Sequence, residues 1–227
     1  LAKSTILGDE DRKDRRGRTT RVKRRLALLG LFVQSFEDVV SVIRENCISI
    51  NQGFRRGVEI PQTKIGHHVH ISSIIFNHRS MTASPLIDLW RALNVMQIYA
   101  MDDVDEIARQ NYFSIIDQIT KDCITLYERR NEVVHANWRM DTPSEDFPLS
   151  WKFGVGKRGL KELADMPRTE ADLKKLITGC RRQFWLLFML KAAIEQHPDG
   201  LAQRLKRDST GRWHTAVQYD ALQRKLK

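Results

Sequence analysis

Apolar residues recur every three or four positions over long stretches of this chain, which predicts helices. The first runs from about Thr19 to Ile50, with Leu29, Phe32, Phe36, Val40, Ile43, Cys47 and Ile50 on one buried stripe. Residues 51–63, with Gly53, Gly57 and Pro61, read as a loop. A second helical stretch is predicted over about 66–79. Ser84-Pro85 reads as an N-cap followed by proline at the first helical position, opening a helix to about Ala100. Asp102, Asp103, Asp105 and Glu106 then place negative charge where the macrodipole of the next helix favours it. That helix is predicted over about 103–138. Its seam of Tyr112, Ile116, Ile119, Cys123, Leu126, Arg130 and Val133 steps by four and three alternately, as in packed bundles.

The helical pattern breaks at Asp141-Thr142-Pro143, and Leu149, Trp151, Phe153 and Val155 alternate with period two. A short strand or hairpin is predicted there, near Gly154 and Gly156. Thr169, with Asp172 three residues on, caps a last long helix over about 170–197, which Pro198 and Gly200 end. That helix is apolar on most sides from Leu173 to Ile194 and is expected to be the most buried. A short basic helical tail is predicted over about 212–226. Together these elements predict an all-α bundle of four to five long helices with one small β-hairpin. The expected division is a basic N-terminal extension (1–25), one bundle domain (26–200) and a basic C-terminal tail (201–227).

Charge sharpens this picture. The formal net charge is +10, and it sits at the ends. Residues 1–25 carry ten Lys or Arg against four acids, and residues 201–227 carry seven against two, so the middle is nearly neutral. Basic ends on a neutral body suit a polyanionic partner, because each neutralised phosphate releases counterions. A solubilising or partner-docking arm suits the same charges. Three cysteines, Cys47, Cys123 and Cys180, lie far apart without paired spacing, which fits a reducing, cytoplasmic setting with neither zinc nor disulfides. No run is expected to span a bilayer, and the N-terminus is charged rather than signal-like. No Walker or Rossmann glycine pattern occurs, and no cofactor is expected.

The candidate chemistry lies in Tyr127-Glu128-Arg129-Arg130-Asn131-Glu132-Val133-Val134-His135-Ala136-Asn137-Trp138. Of the seven histidines, only His135 has Arg five residues upstream. Histidine suits proton transfer, since its unperturbed pKa of about 6.5 lies near neutrality. Arginine suits phosphate, because its planar fork makes two charge-assisted bonds and stays charged. Asn131, four residues before His135, shares nearly the same helix face and is placed to orient the imidazole. The same cations near a helix C-terminus also suit a structural role against the macrodipole.

Arg130-Asn131-x-x-x-His135 resembles the signature of the HEPN superfamily, an Arg, a polar residue and a His after four to six intervening residues, late in a bundle helix. Many of its members are ribonucleases of toxin–antitoxin, abortive-infection and CRISPR systems. The resemblance implies a metal-independent endoribonuclease giving 2′,3′-cyclic phosphate and 5′-hydroxyl ends. Arg130, Asn131 and His135 would be its catalytic residues. Five residues along a helix rotate by about 140°, so Arg130 and His135 point apart. The family brings two motifs into one cleft by dimerising, which implies a homodimer with a composite site and, in such settings, an antitoxin or defence-system partner. One toxin subgroup carries Tyr two residues after the His; Asn137 stands there, so modification at that position is not implied. The resemblance covers about residues 103–140. A non-catalytic helical module binding RNA or a protein partner is the alternative expectation.

Arg129, Lys152, Lys157 and Arg158 are further candidates for gripping an RNA backbone. His67, His68, His70 and His78 lack nearby Asp, Glu or Cys and read as a helix start rather than a metal site. Trp138 and Trp151 read as covers for the bundle end more readily than as base-stacking platforms.

Overall fold

A computed structural model describes residues 3–56, 81–134, 153–156, 159–162, 169–197 and 199–225. Among them are six helices and two antiparallel two-stranded hairpins. In chain order these are α1 (Lys3–Arg56), α2 (Ala83–Tyr99), α3 (Glu106–Val134), β1 (Phe153–Gly156), β2 (Gly159–Glu162), α4 (Glu170–Glu195), α5 (Gly200–Arg204), β3 (Leu205–Arg207), β4 (Trp213–Thr215) and α6 (Ala216–Lys225). The architecture is mostly helical, as the periodicity predicts. The stretch predicted as helix over 66–79 lies outside the described residues.

The chain divides into two compact units, Leu1–Ser35 with Arg129–Thr178, and Phe36–Glu128 with Gly179–Lys227. In the first unit, β1 and β2 pair Phe153 with Glu162 and Gly156 with Gly159, matching the predicted hairpin. Arg24 Nε meets Glu170 Oε2 at 3.0 Å, tying α1 to the first turn of α4. That turn carries the predicted cap: Thr169 Oγ1 accepts the Asp172 N–H at 3.1 Å, and Asp172 Oδ2 accepts the Thr169 N–H at 3.1 Å. Two of the orphan donors of a helix start are thereby satisfied reciprocally.

The second unit holds the larger core. From α1 it takes Phe36, Val39, Val40, Ile43, Cys47 and Ile50, all buried. Phe36 stacks at 6.3 Å, centroid to centroid, on Tyr127 of α3. The α3 seam of Tyr112, Ile116, Ile119, Cys123 and Leu126 is buried as predicted. Each such side chain contributes about 1.5–3 kcal/mol by leaving water. Tyr112 also donates its hydroxyl to Ala193 O at 3.2 Å, joining α3 to α4.

Several expectations need correction. Residues 51–56 continue α1 as helix rather than starting a loop, because Gly53 alone does not end a helix whose buried stripe persists to Ile50. α2 begins at Ala83 with Thr82 as N-cap, so Ser84 and Pro85 occupy its first turn; proline is tolerated there because those N–H groups have no intrahelical partner. α4 is the most buried of the long helices among the described residues, as expected, with Leu173, Ile177, Cys180, Leu186, Leu187, Leu190 and Ile194 inward, but its apolar Trp185 and Phe188 lie outward at 48% and 52% exposure, packed edge-on against each other. Val22–Gln52 of α1 is long and apolar enough to cross a bilayer by length and composition, contrary to expectation. Glu37 and Asp38 are the only charges from Leu26 to Ile43, so the run stays apolar on average despite them. The predicted basic helix over 212–226 is in fact β4 followed by α6, and 205–207 is a strand.

Candidate functional site

The last turns of α3 carry two members of the motif. Helix continues through them because Arg, Asn, Glu and Val bring no proline or glycine, and Leu126 and Val133 remain buried on the seam. Arg130 and Asn131 are half-buried. Arg130 Nη1 donates to Asn131 Oδ1 at 3.3 Å. Neighbouring helix positions are turned about 100° apart, so this contact needs the length of the Arg side chain to fold across the helix surface. With Oδ1 engaged, the Asn131 amide nitrogen is the group left to reach one turn further along the helix.

Arg129 is committed differently. Its Nη1 pairs with Glu132 Oε2 at 2.9 Å, one turn on, and both side chains are largely covered. A guanidinium neutralised in this way is a poorer phosphate ligand than the sequence suggests. The structure therefore brings Arg129, Arg130, Asn131 and Glu132 onto one stretch of helix. His135, Lys152, Lys157, Arg158, Trp138, Trp151 and the histidines 67, 68, 70 and 78 lie outside the described residues. No group of three or more His, Cys, Asp or Glu is arranged to hold a metal ion among the described residues.

The second hairpin carries a polar constellation that the sequence did not reveal. Asp208 accepts the Thr210 hydroxyl at 2.6 Å, the Thr210 N–H at 2.9 Å and the Arg212 N–H at 2.9 Å. Its other oxygen meets His214 Nε2 at 2.7 Å. The Thr210 hydroxyl first, then the Arg212 N–H and His214, hold the Asp208 carboxyl far below the usual carboxylate range. His214 is itself buried. The pair closes the turn, and Gly211 supplies the left-handed backbone at φ 82° that the turn requires. Asp-Ser-Thr-Gly between two apolar residues, Leu205 and Trp213, is the turn signal that could have exposed it.

A polar cavity of about 220 Å³ lies in the second unit, lined by Asn46, Ser49, Asn94, Gln97, Lys191 and Glu195 among others. Asn94 gives one amide hydrogen back to Trp90 O at 2.8 Å. Neither Arg130 nor Asn131 lines this cavity. The three thiols are core groups: burial pushes Cys47 and Cys180 up to about 12, and raises Cys123 further.

Comparison with family models, with curated proteins and with solved structures returns no match.

Proposed function

We propose that the chain is a metal-independent endoribonuclease of the HEPN type, acting as a homodimer in a toxin–antitoxin or anti-phage defence setting. The observation that carries this reading is the motif itself. Arg130 and Asn131 stand half-buried and in contact in the last turns of a long bundle helix, and His135 follows in sequence.

The chemistry follows from the residue types. His135 takes the proton of a ribose 2′-hydroxyl, and the freed oxygen attacks the adjacent phosphorus. Arg130 places its fork on the non-bridging oxygens, where a phosphorane gathers additional negative charge. The bond from phosphorus to the 5′-oxygen breaks, and a protonated imidazole gives that oxygen its proton. The products are a 2′,3′-cyclic phosphate and a 5′-hydroxyl. Two copies of His135 facing one cleft supply base and acid together, which answers the 140° divergence of the two motif positions on one helix. Asn131 fixes the imidazole so that the correct nitrogen faces the ribose.

A pH profile of RNA cleavage tests this assignment. Wild type is expected to show a bell-shaped dependence, with His135→Ala slower by about 10²–10⁴-fold, the usual worth of a general acid–base group. Arg130→Lys keeps the charge but loses the two-pronged contact, and is expected to fall by more than tenfold (about 1.4 kcal/mol). Cleavage by His135→Ala at the wild-type rate would overturn the assignment. RNA binding without cleavage at any pH would instead favour the non-catalytic binding module.

A further inference from the structure

Within the unit Phe36–Glu128 with Gly179–Lys227, a groove of about 550 Å³ is bounded by the start of α3, by α5, and by the second hairpin with α6. Its size is that of an ordinary ligand site, about 300–1,000 Å³. Ile107, three-quarters exposed, contributes an apolar lip from α3, and the partly exposed Tyr219 contributes apolar surface from α6, while the buried Leu205 and Trp213 form the floor. A single exposed isoleucine means little, but one placed on a groove with two aromatic residues gives a continuous apolar slot.

Two cations line the same groove. Lys206 Nζ stands 5.5 Å from the centre of the Tyr219 ring, and Arg207 Cζ stands 5.9 Å from that of Trp213. Arg207, an exposed residue, donates its Nε to Gly211 O at 2.8 Å, and its two terminal nitrogens make no hydrogen bond among the described residues. Asp105 Oδ1 accepts the Ala108 N–H at 2.7 Å as the cap of α3, and Asp220 pairs with Lys206 Nζ at 3.1 Å; that pair is exposed on both sides, at 41% and 53%, so a phosphate can displace the carboxylate, unlike the more covered Arg129–Glu132 pair. Asn111 also lines the groove, and its amide has no hydrogen-bond partner among the described residues. The segment 201–227 carries seven Lys or Arg against two acids.

We infer that this groove binds single-stranded RNA, seating an unstacked base on the slot between Ile107 and Tyr219 while Lys206 and Arg207 hold the flanking phosphates. Asn111 supplies a donor and an acceptor side by side, which suits the edge of a base. An apolar and aromatic slot beside cations is the pairing that single-strand binding uses, because every base has an apolar face and every linkage a negative charge. A duplex would satisfy the cations but keep its bases stacked away from the slot. An acidic peptide would satisfy the cations and leave the slot and the amide unused. The inference deepens the ribonuclease reading by naming the form of the substrate, and rests on that reading only for the choice of polymer.

The test uses the full chain and a fluorescent 12-nucleotide RNA of mixed sequence with every 2′-oxygen methylated, which binds but has no 2′-hydroxyl to attack. The double variant Lys206→Ala, Arg207→Ala is expected to bind about tenfold more weakly, and its log-affinity against log-salt slope to fall by about 1.4, at about 0.7 per lost phosphate contact. Ile107→Ser leaves charge unchanged and alters an exposed position; it is expected to weaken binding severalfold with the salt slope intact. Asn111→Ala is expected to narrow the difference in affinity between oligo(A) and oligo(U). Wild-type affinity in the double variant and in Ile107→Ser would overturn the inference, and so would polyglutamate displacing the RNA at equal charge concentration. Groove variants that weaken this probe while unmodified RNA is never cut would keep the site and remove the ribonuclease. Unmodified RNA cut equally well by wild type and groove variants, with the probe unbound, would do the reverse.

Discussion

The side chain of Gln118 pairs with the backbone of Trp213 as a neighbouring strand would. Its Nε2 donates to Trp213 O at 3.1 Å, and its Oε1 accepts the Trp213 N–H at 2.8 Å. Arg182 adds a second donor to the same carbonyl at 2.8 Å, and the indole N–H reaches Ser114 Oγ at 3.2 Å. β4 is thus fixed to α3 and α4 by side chains that stand in for a missing strand, which holds Trp213 at the groove beside Lys206 and Arg207. Gln118→Ala orphans the Trp213 N–H, whereas the carbonyl keeps Arg182. A loss of about 1–3 kcal/mol is expected in urea unfolding, the cost of one unsatisfied buried donor. Gln118→Glu keeps the acceptor and is expected to lose less. Equal losses in both variants would contradict this division of labour.

Asp208 gives the hairpin a pH dependence of known sign. Its carboxyl is held below its unfolded value, so it contributes stability that is present above about pH 4 and drains away as pH falls toward the folded value. Wild type is expected to exceed Asp208→Asn in urea midpoint at pH 6, with the gap closing steadily below about pH 4. A gap that stays constant down to pH 2.5 would show that the carboxylate charge is not what the hairpin uses.

Gly200 and Gly30 predict opposite responses to one methyl group. A Cβ at Gly200 would lie 2.5 Å from Ala193 O and 2.9 Å from Ala193 Cα, both backbone atoms that cannot turn aside. Gly200→Ala is expected to lose about 1–3 kcal/mol. A Cβ at Gly30, inside α1, would meet nothing within 4 Å, so Gly30→Ala is expected to gain about 0.5–1 kcal/mol from helix propensity. Thermal melts of the two variants check both signs.

The three thiols are expected to be inert in the folded protein. Cys47, Cys123 and Cys180 are buried, and burial keeps each protonated at pH 8. A thiol-exchange reagent should titrate none of them within minutes in buffer and all three in denaturant. Rapid loss of one native thiol would show an opening of the core at that helix.

What the sequence made legible was what local chemistry writes locally. The α1 stripe from Leu29 to Ile50 and the α3 seam were readable because helical period and burial coincide over many turns. The Thr169–Asp172 box was readable because its partners are three residues apart. The start of α2 was misplaced by two residues because Ser84-Pro85 fits the first turn of a helix as well as its cap. β3 and β4 were missed because strands of three residues hold no period, and all of Trp213, His214 and Thr215 are buried instead of alternating. Arg130 and Asn131 stood out through side-chain chemistry alone. The Arg129–Glu132 pair is local too, three residues apart on one helix, and was overlooked; the Asp208–His214 pair and the groove beside Lys206 depend on where strands, turns and helices come together, and the Gln118–Trp213 pairing spans 95 residues.

Incubating a mixed RNA pool in EDTA with wild type and with His135→Ala, followed by end-group analysis of the fragments, separates cleavage by the motif from every other source. Wild type is expected to cleave in EDTA, leaving 2′,3′-cyclic phosphate and 5′-hydroxyl ends, and His135→Ala to leave the RNA intact. Fragments bearing 5′-phosphates, cleavage that EDTA abolishes, or equal cleavage by the two proteins would contradict this mechanism.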